Sequence, residues 1–180
     1  MATVMATGNA DMENAAVELV NPMSDANVVM IGCGPGVGVV AAARRASNGM
    51  VIGLDPSAVM VERTRARCRR ARVEHLTKVE RAVAELLPLP DQSQDAVVSV
   101  NNIQLWSDRA AGLDECVRVL VPSGVLVVFL HTWAMPDAVS AEEWIAELTA
   151  DLSDRGVVVE SSQIQRFRSG PALVLAGRLA

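Results

Sequence analysis

Four glycines at alternate positions, Gly32, Gly34, Gly36 and Gly38, follow directly on the apolar run Val28-Val29-Met30-Ile31. A glycine-rich turn between a buried strand and a helix lets backbone and ligand approach closely, because no Cβ intervenes and positive φ carries no steric cost. The helix N-terminus behind such a turn offers free N–H groups to a polar ligand. The spacing narrows the choice of ligand. The G-x-G-x-x-G of a dinucleotide site fails at Val37 or Val39, and no G-x-x-x-x-G-K-[ST] phosphate loop occurs. Asp55 ends the next apolar run, where an acidic residue grips the ribose diol in nucleoside-binding α/β folds. A carboxylate suits that task because its two oxygens accept two donors together. The same aspartate, just ahead of Pro56 and Ser57, is also placed to cap a helix, and the two roles are compatible.

The elements that would position these residues alternate along the chain. Strands are predicted at 27–32, 50–55, 78–83, 95–100, 124–131, 157–166 and 171–179, and helices at 37–47, 57–71, 108–119 and 140–154. Runs such as Ala96-Val97-Val98-Ser99-Val100 are apolar without alternation, as in a parallel sheet covered on both faces. The last two strands leave no room for a crossover helix and predict an antiparallel hairpin across Arg168-Ser169-Gly170-Pro171. The fold class is therefore α/β, a doubly wound Rossmann-like sheet, mostly parallel with a C-terminal antiparallel hairpin. Residues 1–26 read as a loose polar tail to Asn9 and a short helix from Ala10 to Val20; residues 27–180 read as a single domain.

Composition excludes several classes of function. The net charge is −5, tyrosine is absent and only 3% of residues are aromatic, which argues against a nucleic-acid surface. Lys78 is the single lysine, and the arginines between Arg63 and Arg72 read as a solvated helix face. Cys33, Cys68 and Cys116 are isolated, as expected of reduced thiols, and no Cys/His spacing suits a metal. No run is apolar for long enough to span a membrane, and no signal peptide precedes the first strand, so a cytoplasmic location is expected.

Two further segments complete an ordered set: Leu87-Pro88-Leu89-Pro90-Asp91-Gln92-Ser93-Gln94-Asp95 and Leu120-Val121-Pro122-Ser123-Gly124. With the glycine loop and Asp55, they make the chain from Val28 to Phe129 resemble the class I S-adenosylmethionine-dependent methyltransferases, in the small-molecule "methyltransferase type 11"-like group. The resemblance implies S-adenosylmethionine as cofactor and a small-molecule acceptor such as a secondary metabolite. It puts Gly32, Cys33, Gly34 and Gly36 beside the methionine portion, Asp55 and Pro56 at the ribose, Ala84 and Glu85 near the adenine, and Asn101 along the cofactor and substrate side. The lesser alternative for Asn101 and Asn102 is a plain turn role.

Methyl transfer asks for an in-line approach and exclusion of water; positioning alone supplies ~7–11 kcal/mol. A base is needed only when the nucleophile must shed a proton, and His131, at the end of a strand, is the candidate. Its bland reading is a structural hydrogen-bonding residue. Trp106 and Trp133 would wall the pocket or pack. Asn101-Asn102-Ile103-Gln104 stands where an N/D-P-P-Y segment would mark amide and exocyclic-amine methyltransferases. Two positions depart from the family pattern. Met30 replaces an acid that organises the cofactor's ammonium end, and Val83 replaces an aspartate that meets the adenine amine. These departures keep two alternatives open: the cofactor as scaffold for a non-methylating reaction such as cyclisation, and a non-catalytic partner subunit. The short stretch ahead of the first strand implies a pocket that is open, closed by the N-terminal helix, or covered by a second subunit in a homodimer or hetero-oligomer.

Overall fold

The computed structural model describes residues 9–135 and 139–180. The tail expected ahead of Asn9, and the centre of the loop expected over Thr132–Val139, lie outside them. In chain order the elements are α1 (Ala10–Val20), β1 (Val28–Ile31), α2 (Val37–Arg45), β2 (Val51–Asp55), α3 (Ala58–Ala71), β3 (Thr77–Arg81), β4 (Gln94–Val100), α4 (Arg109–Val119), β5 (Leu120–His131), α5 (Ala141–Ser153), β6 (Val157–Phe167) and β7 (Gly170–Leu179).

The strands form one sheet in the order β3-β2-β1-β4-β5-β7-β6. β1 pairs in parallel with β2 and β4, as do β2 with β3 and β4 with β5, while β7 runs antiparallel to β5 and β6. Strand order reverses on either side of β1, so the carboxyl ends of β1 and β4 diverge around a crevice, the place where open α/β sheets bind ligands.

Uninterrupted apolar strands follow from this covering of both faces. Val28 and Met30 join Met12, Val17, Val39, Val61 and Phe129 under α1, α2 and α3. Val29 and Ile31 join Leu113, Leu126, Leu148 and Leu173 under α4 and α5. Edge strand β6 is mostly exposed and carries Glu160, Gln163, Gln165 and Arg166, the polar character that discourages pairing with another chain. α1 is more than a tail: Met12, Ala16 and Val17 are fully buried.

Two strand boundaries differ from expectation, each for a local reason. β3 stops at Arg81 because the chain leaves the sheet there, with Val83 pairing back to Leu86 beside the crevice. β5 starts at Leu120, paired with Gln94, before a register shift that takes up Val121 to Gly124; Pro122 has no N–H to give the ladder and Ser123 sits at φ 64°. Glu142 and Glu143 open α5, where Ser140 and Glu143 form a reciprocal cap. All three cysteines are buried and free. Among the described residues no helix is long and apolar enough to cross a membrane, and no group of three or more potential metal ligands occurs.

Candidate cofactor and substrate site

The ends of β1, β2 and β4 surround a cavity of about 500 Å³. The glycine loop forms its floor, and five side chains hold that loop. Thr64 Oγ1, from α3, donates to the Gly34 carbonyl at 2.7 Å, and Arg67 Nε donates to the Pro35 carbonyl at 2.7 Å. Asp55 accepts from Gly34 N through Oδ2 and from Ser57 N through Oδ1, both at 2.9 Å. Glu13, reaching across from α1, accepts from Gly38 N at 2.6 Å. Asn102 Nδ2 donates to the Ile31 carbonyl at 2.7 Å, while its Oδ1 accepts from Trp106 Nε1 at 2.9 Å.

Three of the loop glycines take positive φ, at 62° for Gly32, 52° for Gly34 and 82° for Gly36. Gly34 has open space where a Cβ would stand, so its backbone faces the cavity bare. At Gly36 the same atom would meet Thr64 Cγ2 at 2.6 Å, so that glycine serves the packing of α3 against the loop.

Seven of the expected residues line the cavity: Gly32, Gly34, Asp55, Pro56, Ala84, Glu85 and Asn101. Three do not. Cys33 turns its sulfur into the core, 3.8 Å from Thr64 Oγ1, and burial pushes its thiol up to about 12. Gly36 lies under Thr64. His131 is fully buried behind Asn101. Its backbone N–H donates to Asn101 Oδ1, which makes Asn101 Nδ2 the donor to His131 Nδ1 at 2.7 Å. The remaining ring nitrogen, Nε2, then carries the proton and donates to Ser169 Oγ at 2.7 Å. Burial lowers the imidazole's pKa, with Asp11 opposing, so the ring is held neutral. Trp133, well exposed, stacks on this ring at 5.0 Å, whereas Trp106 lines the cavity.

One oxygen of Glu85 is committed to protein donors. Its Oε1 accepts from Ser107 N, Ser107 Oγ and Asp108 N at the start of α4. Burial works to raise its carboxyl, but these donors outweigh it and hold the group below the usual range. Val83 stands beside it, 47% exposed, with Leu86 and Leu105, each 74% exposed, near the mouth.

Sequence reasoning missed Asn9, Glu13 and Thr64. Each reaches the site from a helix or helix cap remote in sequence, and no short-range motif marks them. The cavity thus combines bare loop backbone, the Glu13 and Asp55 carboxylates and apolar Val83, Ala84, Leu105 and Trp106. A ligand with both charged or hydroxylated parts and a flat apolar part suits such a lining.

Comparison with known proteins agrees with the geometry. A family model described as "Methyltransferase domain" matches residues 29–128. A Mycolicibacterium smegmatis protein named "probable S-adenosylmethionine-dependent methyltransferase" is 40% identical over 105 residues, covering 57% of this chain; the chain spans only 37% of that relative's length. Among solved structures, a SAM-dependent methyltransferase from Aquifex aeolicus superposes with a TM-score of 0.75 at 17% identity, over 93% of this chain and 89% of that one. The [4+2]-cyclase SpnF superposes with 0.76 at 18% identity, over 92% of this chain and 80% of the other.

Proposed function

The chain belongs to the class I S-adenosylmethionine-dependent methyltransferase family, and we propose that it methylates a small, largely apolar molecule at the mouth of the cavity. The observation that carries this reading is the pairing of a bare glycine-loop backbone at Gly34 with an Asp55 carboxylate clamped by two backbone donors. Gly32 and Gly34 would hold the amino-acid end, Asp55 and Pro56 the ribose, and Ala84 with Leu105 the base. When bound, S-adenosylmethionine supplies an electrophilic methyl group on its sulfonium.

The protein's part is positioning and exclusion of water. Leu86, Leu105 and Val83 leave apolar surface exposed beside the cavity, which supports an apolar acceptor. Glu85 Oε1 is held by the start of α4, which fixes the carboxylate beside Ala84 and leaves Oε2 for the adenine amine. His131 acts as a positioning residue: both ring nitrogens are engaged, and through Asn101 it fixes the wall at the end of β4. The titratable side chains lining the cavity among the described residues are Glu13, Asp55 and Glu85. Glu13 and Asp55 are bonded to the glycine loop and the start of α2 and α3. No histidine lines the cavity among the described residues, so acceptors whose nucleophile needs no enzymic base, such as a neutral amine or an enol-like carbon, suit this site. The buried reduced thiols support a cytoplasmic location.

Calorimetric titration of the protein with S-adenosylmethionine and S-adenosylhomocysteine tests the reading. Micromolar binding, about −8 kcal/mol, that weakens at least about tenfold in Asp55→Ala is expected. Formation of S-adenosylhomocysteine across a panel of apolar amines and enols then identifies the acceptor. Tight binding without any such turnover would favour the scaffold alternative, and no binding would favour a partner subunit.

A further inference from the structure

Glu13 is a buried carboxylate with only one oxygen engaged among the described residues, on the Gly38 amide. It is 92% shielded from solvent, being 8% exposed, and it lines the same cavity as the glycine loop. Its Oε2 accepts from Gly38 N, and Oε1 makes no hydrogen bond within the described residues. Met30 occupies the ground between them: a Cβ added at Gly38 would meet Met30 Cε at 2.5 Å and Glu13 Oε2 at 3.2 Å. The thioether of β1 and the carboxylate of α1 thus converge on the first turn of α2. Among the described residues no salt bridge neutralises Glu13. A mostly buried carboxylate whose second oxygen is open only to the cavity is built for a cation that arrives with the ligand.

We propose that Glu13 is the anionic partner of the cofactor's ammonium group, supplied by α1 in place of an acid at position 30. The inference rests on the reading of the cavity as an S-adenosylmethionine site. It makes α1 a functional wall and gives the cavity a charge-selective end, separate from the ribose grip at Asp55.

The electrostatics support it. Burial pushes the Glu13 carboxyl up to about 7, opposed by the Gly38 N–H and by Arg67 of α3. Of the other titratable groups, Cys33 of the loop feels the charge of Glu13 and also that of Asp55 at the end of β2. Near pH 7 the unliganded carboxyl is therefore partly protonated, where an ordinary carboxylate is fully ionised. Pairing with an ammonium removes that proton, so ligand binding releases it.

The test compares two probes and one variant. S-Adenosylhomocysteine carries the amino-acid end, whereas 5′-methylthioadenosine has the same adenosine without it. Glu13→Gln keeps an acceptor for Gly38 N and removes the charge. The expected result is a loss of about tenfold or more in S-adenosylhomocysteine affinity, with 5′-methylthioadenosine affinity unchanged within about twofold, which also reports that the variant is folded. Titration of the unmodified protein at pH 7 in buffers of different ionisation enthalpy should show net proton release with S-adenosylhomocysteine and none with 5′-methylthioadenosine. Equal losses for both probes, or unchanged S-adenosylhomocysteine affinity in Glu13→Gln, overturn the assignment of Glu13 alone. If the unmodified protein binds neither nucleoside, the cofactor reading falls and this assignment falls with it.

Discussion

Thr64 decides what a side chain costs at two neighbouring glycines. Gly34→Ala meets open space and suffers only left-handed backbone strain, roughly 1 kcal/mol. Gly36→Ala adds a clash with Thr64 on a packed helix, for a total of about 2–4 kcal/mol. Urea denaturation should therefore rank Gly36→Ala well below Gly34→Ala in stability, while cofactor affinity ranks the other way, because Gly34 alone faces the cavity. His131 sets a second residue-scale expectation. Its pKa is lower in the folded protein than in the unfolded chain, so its contribution is intact above about pH 6.5 and is lost as pH falls below that value. Protonation would also put a hydrogen on Nδ1 facing the Asn101 amide. The stability gap between the protein and His131→Gln should narrow on acidification from pH 7.5 to 5.5; a constant gap would mean the ring is not held neutral.

At the scale of elements, legibility tracked how local the cause was. The strands could be read because every residue of β1, and Ala96 to Val98 of β4, meets a packed helix on one face or the other, which leaves short apolar runs without alternation. The hairpin of β6 and β7 was readable from the short Arg168-Ser169 connection. Gly32, Gly34 and Asp55 were readable because the loop and the strand end lie in two adjacent, contiguous segments. Glu13 was not, since it stands 25 positions from the amide it holds, and nothing in Ala10–Val20 distinguishes a carboxylate turned inward from one in solvent. Thr64 was hidden among solvated arginines for the same reason. α1 carries its own prediction. Met12 is fully buried, with its sulfur 3.9 Å from both Asn101 Nδ2 and Ser169 Oγ. Met12→Ala should cost about 2–4 kcal/mol in chemical denaturation and weaken cofactor binding as well. A core methionine remote from the site would produce only the first effect.

For the molecule as a whole, a ligand in this crevice touches α1 and the ends of β1, β2 and β4, elements drawn from across the first hundred or so positions. Binding only to the folded state stabilises it by about 2.7 kcal/mol at a hundredfold excess over Kd. In a domain of this size that is a rise in Tm of roughly 5–10 °C, expected with S-adenosylhomocysteine and much reduced in Asp55→Ala. The three buried thiols offer a way to watch the same event without perturbing it. Cys33 lies directly behind the loop, whereas Cys116 is packed under α4 on the opposite face of the sheet. A thiol reagent can reach either one only when the chain opens around it, so the two labelling rates act as separate clocks, one for the loop and one for the far layer. A ligand seated on the loop should slow the first clock more than the second, which makes the unmodified chain its own sensor of occupancy.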